Sequence, residues 1–277
     1  MAIQVGLIGF GTIGKRVADA IALQKDMNLV GVTAHSYNYK TEIAKRKGFK
    51  IFSSEGAADF EQNGISIEGD MQNLLDQVDI VVDCTPKKIG AQNKVQYYEP
   101  KKLRAIFQGG EKPAVADVSF VAQCNYDAAV GKKYVRVVSC NTTALCRTLN
   151  PIHELFGIEN VHATMVRRAA DPWDIHHGPI NAIVPVLELP SHHGPDVQTV
   201  LPHINIFTTA MSVPTTLMHK HSIIVDLKKE TSIKDILVLF RNTTRVRVVR
   251  NFEKVRSTAE IMELAKDLGR LKGDMPE

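Results

Sequence analysis

Two short segments carry residue types whose order could do chemistry. Gly9-Phe10-Gly11-Thr12-Ile13-Gly14 is a G-x-G-x-x-G. In that pattern the first glycine permits a tight turn, the second lets a pyrophosphate reach the backbone, and the third lets a helix sit close on a strand. The free N–H groups at the start of the helix would then meet the phosphates. The pattern alone is weak, because an ordinary strand-to-helix turn can carry it. Here it leaves the apolar run of residues 2–8 and opens a helical pattern from Lys15, the context that makes it specific. The second segment is Ser139-Cys140-Asn141-Thr142-Thr143, which puts a thiol at the start of a helical run ending at Phe156. A helix N-terminus favours a thiolate and offers amides to an oxyanion formed where sulfur attacks a carbonyl. A buried, inert cysteine is the plain alternative. Cys84 and Cys146 read as core residues, and Cys124 stays open between the two readings.

The loop after the second apolar run bears on cofactor choice. Sites that prefer NAD usually place an acidic residue about 20 residues after the glycines, on the ribose hydroxyls. Here the stretch reads Val32-Thr33-Ala34-His35-Ser36, with no carboxylate before Glu42. Thr33, His35 and Ser36 could meet a 2′-phosphate, with Lys40 adding charge, so the expectation is NADP or NAD, tilted towards NADP. Ten histidines invite a metal reading. However, His176-His177 and His192-His193 are adjacent pairs whose side chains diverge, and no H-E-x-x-H or paired-cysteine spacing is present. His219 and His221 on a strand would share a face. No metal is expected.

Those segments need elements to hold them. In the first half, strand-like runs at residues 2–8, 29–33, 79–83, 105–107 and 135–138 alternate with helical stretches. In the first helix, Val17, Ala20, Ile21 and Ala22 read as the inward face. Such alternation predicts βαβ units and a doubly wound, Rossmann-type parallel sheet. In the second half, strand-like runs at residues 161–166, 205–213, 222–227 and 245–249 accompany two helices, at 233–240 and 258–268. This texture predicts an α+β domain on a mostly antiparallel or mixed sheet. The expected domains are residues 1–139, binding a dinucleotide, and 140–277, which begins at the thiol.

Composition narrows the class. The 277 residues are 44% hydrophobic and 23% charged, with a formal net charge of +4. Disorder, collagen and coiled coil are excluded. No apolar run approaches the ~18 residues of a membrane span, and no basic n-region precedes the first apolar run. Four cysteines without a C-x-x-C pair suit a reducing compartment, so a cytoplasmic protein without membrane contact is expected. The basic runs at residues 45–47, 101–104 and 245–250 read as solvated faces, so nucleic acid is not an expected partner.

The segment from Ser139 to Thr143 resembles the active-site segment of the phosphorylating glyceraldehyde-3-phosphate dehydrogenases, and the longer matches resemble the archaeal type of that family. They are Cys84-Thr85-Pro86, Phe107-Gln108-Gly109-Gly110-Glu111-Lys112, Val166-Arg167-Arg168, Gly178-Pro179-Ile180-Asn181-Ala182, residues 189–196 and residues 214–219. The resemblance covers essentially the whole chain. It implies that Cys140 attacks the aldehyde, that hydride passes to NAD(P), and that inorganic phosphate cleaves the thioester to 1,3-bisphosphoglycerate. It implies His219 as base, and Ser139, Cys140, Asn141, His192 and His193 as substrate contacts. Thr12, Ile13, Gly110 and Arg168 would contact the dinucleotide, alongside Gly9, Gly11 and Gly14. Arg167 suits a phosphate on chemical grounds. A homotetramer is implied as well.

Three features depart from the family pattern. Lys87-Lys88 stands where an acidic residue and a glycine are common. Trp173 and His176-His177 follow Asp171-Pro172, and the loop before Leu189 is a residue short. Family members also continue past the helix at 258–268. A second reading therefore stands beside the enzyme: a truncated, non-catalytic dinucleotide-binding protein with an interaction role.

Overall fold

The computed structural model describes residues 2–108, 110–171 and 177–277. Gly109, Trp173 and His176, singled out above, lie outside the described residues. The chain divides into one unit of residues 1–120 and 126–138 and another of residues 121–125 and 139–277.

The first unit is built on a seven-stranded sheet. Its strands are β1 (Ile3–Ile8), β2 (Met27–Ala34), β3 (Ile51–Ser53), β4 (Ile80–Asp83), β5 (Arg104–Phe107), β6 (Val118–Phe120) and β7 (Tyr134–Val137), in the order β3-β2-β1-β4-β5-β7-β6. Every pairing is parallel. A parallel sheet must be covered on both faces, and two apolar clusters do this. One gathers Val5, Leu7, Ala18, Ile21, Ala44 and Phe60, drawing on α1 (Thr12–Ala22), α2 (Tyr39–Arg46) and α3 (Ala58–Gln62). The other gathers Ile8, Leu74, Leu75, Tyr98, Phe107 and Tyr134, drawing on α4 (Met71–Leu75) and the turns that follow α5 (Ile89–Asn93). The sheet is doubly wound.

The inward face of α1 differs from the sequence expectation. Gly14, Ala18 and Ile21 are buried, whereas Ala20 and Ala22 are exposed. The glycine sets the helix's rotation. A Cβ on Gly14 would lie 2.0 Å from the Gly9 carbonyl oxygen, so that side alone can face the strand. A Cβ on Gly11 would meet nothing within 4 Å. Gly14→Ala is therefore expected to destabilise the fold by ~1–3 kcal/mol in urea unfolding. Gly11→Ala should leave stability near wild type and weaken dinucleotide binding. Equal stability losses for the two would show that Gly11 serves packing instead.

In the second unit, β8 (Ile158–Arg168), β9 (Val184–Pro185), β10 (Ile206–Val213) and β11 (Lys220–Leu227) form a sheet ordered β11-β8-β10-β9. β8 and β10 run parallel, and the other two pairings are antiparallel, so the sheet is mixed. The short helix α6 (Ala122–Ala129) is divided between the two units at Asn125, where it loses helical geometry (φ −142°, ψ 42°). After it come α7 (Cys140–Phe156), α8 (His193–Gln198), α9 (Ile233–Asn242) and α10 (Thr258–Asp267). Leu145, Cys146, Leu149 and Ile152 of α7 are buried, as are Val161, Ala163 and Met165 of β8.

Two expectations fail here. Residues 245–249 form no strand: Arg245 takes a left-handed φ of 65°, which breaks an extended run, and the stretch joins neither described sheet. His219 does not share a strand face with His221, because β11 begins at Lys220 and Met218 turns the chain with φ 63°.

Candidate active site

The start of α7 is fixed by its cap. An α-helix cannot satisfy its first amides internally. The Ser139 hydroxyl accepts the Thr142 N–H at 3.2 Å, and the Ser139 carbonyl accepts the Thr143 N–H at 2.8 Å. The Thr142 hydroxyl donates to Asp196 Oδ2 of α8 at 2.6 Å. Cys140, the first helical residue, is exposed. Asn141 beside it is buried, and its Oδ1 lies 2.8 Å from His221 Nε2.

Three histidines and an arginine share this neighbourhood. His193 is 1% exposed, with Nδ1 3.2 Å from the Ser191 hydroxyl and its ring 4.0 Å from that of His192. Burial, then the charges of His192, Arg167 and His221, push His193 down to about 3. Burial, then Arg168, Arg167 and His221, push His219 down to about 4. His221 is lowered by burial and by Lys220. The neutral form is favoured in all three rings. Arg167 holds a buried Nε without a hydrogen-bond partner among the described residues, an unfilled donor suited to an anion. The Arg168 guanidinium pairs with Asp171, and its backbone N–H donates to His219 Nδ1 at 3.0 Å.

That last bond has a chemical consequence. With Nδ1 accepting, a neutral His219 carries its proton on Nε2. Taking another proton needs the Nδ1 lone pair, so the Arg168 contact must open first. His221 is differently placed, since its Nε2 is already paired with Asn141. The family-implied substrate residues Ser139, Cys140, Asn141, His192, His193, Arg167 and His219 all lie in the second unit, with Arg168.

The glycine turn belongs to the first unit. Gly9 has φ 89°, and its N–H donates to Thr33 Oγ1 at 2.9 Å. The open space at Gly11, the exposed Ile13 beside Thr12 on the first turn of α1, and the left-handed Gly110 (φ 76°) leave a cradle that side chains would fill. These residues fit a dinucleotide.

The structure changes the reading of the β2 loop. Thr33 is buried and spent on Gly9, so it is not available to a 2′-phosphate. A carboxylate that linear spacing could not reveal also arrives from the loop after β3. Glu55 Oε1 lies 3.3 Å from His35 Nδ1. The tilt towards NADP loses its basis, and NAD or NADP remains.

Comparison with known proteins follows this division. Residues 139–269 match the family described as "Glyceraldehyde 3-phosphate dehydrogenase, C-terminal domain", and residues 3–107 match "Dihydrodipicolinate reductase, N-terminus". The chain is 51% identical over 277 residues to the glyceraldehyde-3-phosphate dehydrogenase of Methanococcoides burtonii, covering 99% of this chain and 82% of that one. It is 54% identical over 272 residues to the enzyme of that name from Pyrococcus furiosus, covering 98% and 80%. The fold is similar to that of aspartate semialdehyde dehydrogenase II from Vibrio cholerae, with TM-score 0.67 and 12% identity over 90% of this chain and 82% of that one. The non-catalytic alternative finds no support among these relatives. The chain belongs to the glyceraldehyde-3-phosphate dehydrogenase family, in its archaeal form.

Proposed function

We propose that this chain oxidises D-glyceraldehyde 3-phosphate to 1,3-bisphosphoglycerate, using NAD or NADP and inorganic phosphate. The observation that carries this reading is the exposed Cys140 at a capped helix start, in a unit that also holds neutral histidines and the unfilled Arg167 donor. Gly9, Gly11, Thr12, Ile13, Gly14 and Gly110 would hold the dinucleotide. When bound, the nicotinamide supplies the acceptor for a hydride from the substrate carbon.

The Cys140 sulfur attacks the aldehyde carbon to form a thiohemiacetal, whose oxygen the amides of Cys140 and Asn141 can hold. His219 takes the hydroxyl proton as the carbonyl of the thioester forms. In substrate-free structures catalytic hydrogen bonds often form only in the complex, and release of the Arg168 amide is the rearrangement His219 needs. Arg167, His192 and His193 bind phosphoryl oxygens of the substrate. A phosphate oxygen then attacks the thioester carbon, the C–S bond breaks, and the thiolate returns.

The test is absorbance of the reduced nicotinamide with glyceraldehyde 3-phosphate, either cofactor, and phosphate. Turnover that depends on phosphate is expected. Cofactor binding without turnover would overturn the reading.

A homotetramer in the cytoplasm is part of this proposal. Ile180 (84% exposed), Ile183, Leu187 (86% exposed) and Leu189 form an apolar stretch that a second copy would cover. Ile224, His162 and Phe207 align across three strands on the outer face of the mixed sheet. Light scattering should give four times the chain mass, and a monomer would contradict the assembly. Among the described residues, no helix is long and apolar enough to cross a membrane.

A further inference from the structure

The loop leaving β4 packs directly on the glycine turn. A Cβ on Gly9 would lie 3.1 Å from the Cys84 carbonyl and the Thr85 nitrogen, and one on Gly14 would lie 3.6 Å from Cys84 Cβ. The base of this loop is anchored. Asp83 is buried and accepts the Thr85 amide at 3.0 Å, the Asn93 side chain at 2.9 Å and the Tyr98 hydroxyl at 2.6 Å. Its tip is a turn closed by Ile89 N–H to the Pro86 carbonyl at 3.0 Å, with Lys87 and Lys88 at the two central positions. Lys88 takes φ 79° and ψ −25°. The second central position of a type II turn requires such a φ and normally takes glycine. Both lysines are exposed, and neither has an acidic partner among the described residues. The turn therefore keeps a strained lysine and two uncompensated positive charges beside a cradle shaped for phosphate.

We propose that Lys87 and Lys88 are electrostatic binding residues for the dinucleotide's pyrophosphate, a role that rests on the dinucleotide reading of the glycine turn. Topology selects the pyrophosphate over a 2′-phosphate. The order β2-β1-β4 puts the Lys87-Lys88 turn and the His35-Ser36 loop on opposite sides of the glycine turn. Two strand spacings of ~4.8 Å separate those loops. That is about a Debye length at physiological salt, so the lysines' charge is felt weakly at the far loop. Their contribution falls on the group common to both cofactors.

The test is titration of the full chain with NAD and, separately, NADP, at physiological and high salt. Lys88→Gly removes charge and strain together. It should keep or raise the melting temperature while weakening both cofactors alike by ~3–10-fold at physiological salt. The loss should shrink at high salt. Lys88→Arg restores the charge and should bind as wild type. Unchanged affinity in Lys88→Gly/Lys87→Ser overturns the proposal. So does a loss confined to NADP, or a Lys88→Arg variant that binds as poorly as Lys88→Gly. Wild-type protein that binds neither cofactor would overturn the dinucleotide reading itself, a separate outcome.

Discussion

Cys140→Ser is expected to lower turnover by on the order of 10⁴-fold or more, because removing a covalent nucleophile removes the whole route it opens. The measurement is phosphate-dependent nicotinamide reduction, with melting temperature as a control for folding. The side chain is exposed at the helix start, so its loss should leave stability near wild type. Alkylation distinguishes the four thiols before any substitution is made. Burial and Asp83 push the Cys84 thiol up to about 12. A hydrogen bond with Cys124 and burial hold Cys146 as the thiol. Cys124 is lowered by the same bond, so it is the nearest rival for iodoacetamide. Cys140 should label first and be protected by substrate. Activity that survives complete labelling of Cys140 would remove it from the mechanism.

His219→Asn should lower turnover by ~10²–10⁴-fold while Cys140 still reacts with iodoacetamide. His221→Asn is the comparison, because His221 faces Asn141 rather than the Arg168 amide. If His221→Asn is the more damaging, the two roles are exchanged. The same histidines give stability a pH dependence with a definite sign. His193 and His219 are held near 3 and 4 in the fold and rise to ~6.5 on unfolding. The unfolded chain therefore binds more protons between about pH 6.5 and 4, and stability must fall as pH falls through that window. Urea midpoints measured between pH 7 and 4 should decline. Replacing His219 with Asn should flatten part of that decline, and an unchanged slope would show that the ring is not buried neutral.

The parts of this molecule that local order controls were legible in its sequence. The Gly9–Gly14 turn, the parallel βαβ alternation and the placement of Cys140 at a helix start follow from spacing and flanking periodicity. What sequence could not show were pairings set by tertiary approach. Thr33 reads in sequence as a phosphate ligand, yet its buried hydroxyl accepts the Gly9 N–H. Glu55 comes to His35 across twenty positions, and Asp196 reaches Thr142 across fifty-four. The alternating residues at 245–249 misled for another reason: alternation suits a strand only where an edge is present to pair with it.

The Thr142–Asp196 bond reaches beyond local stability. A single carboxylate joins the first turn of α7 to α8, so the segments bearing the thiol and His193 are constrained to breathe together. A fluctuation that displaces one carries the other with it, and their relative alignment outlives motions that blur each position separately. Reaction rates depend more steeply on alignment than on absolute position. A strap of this kind lets an enzyme retain thermal motion without averaging away its reactive geometry.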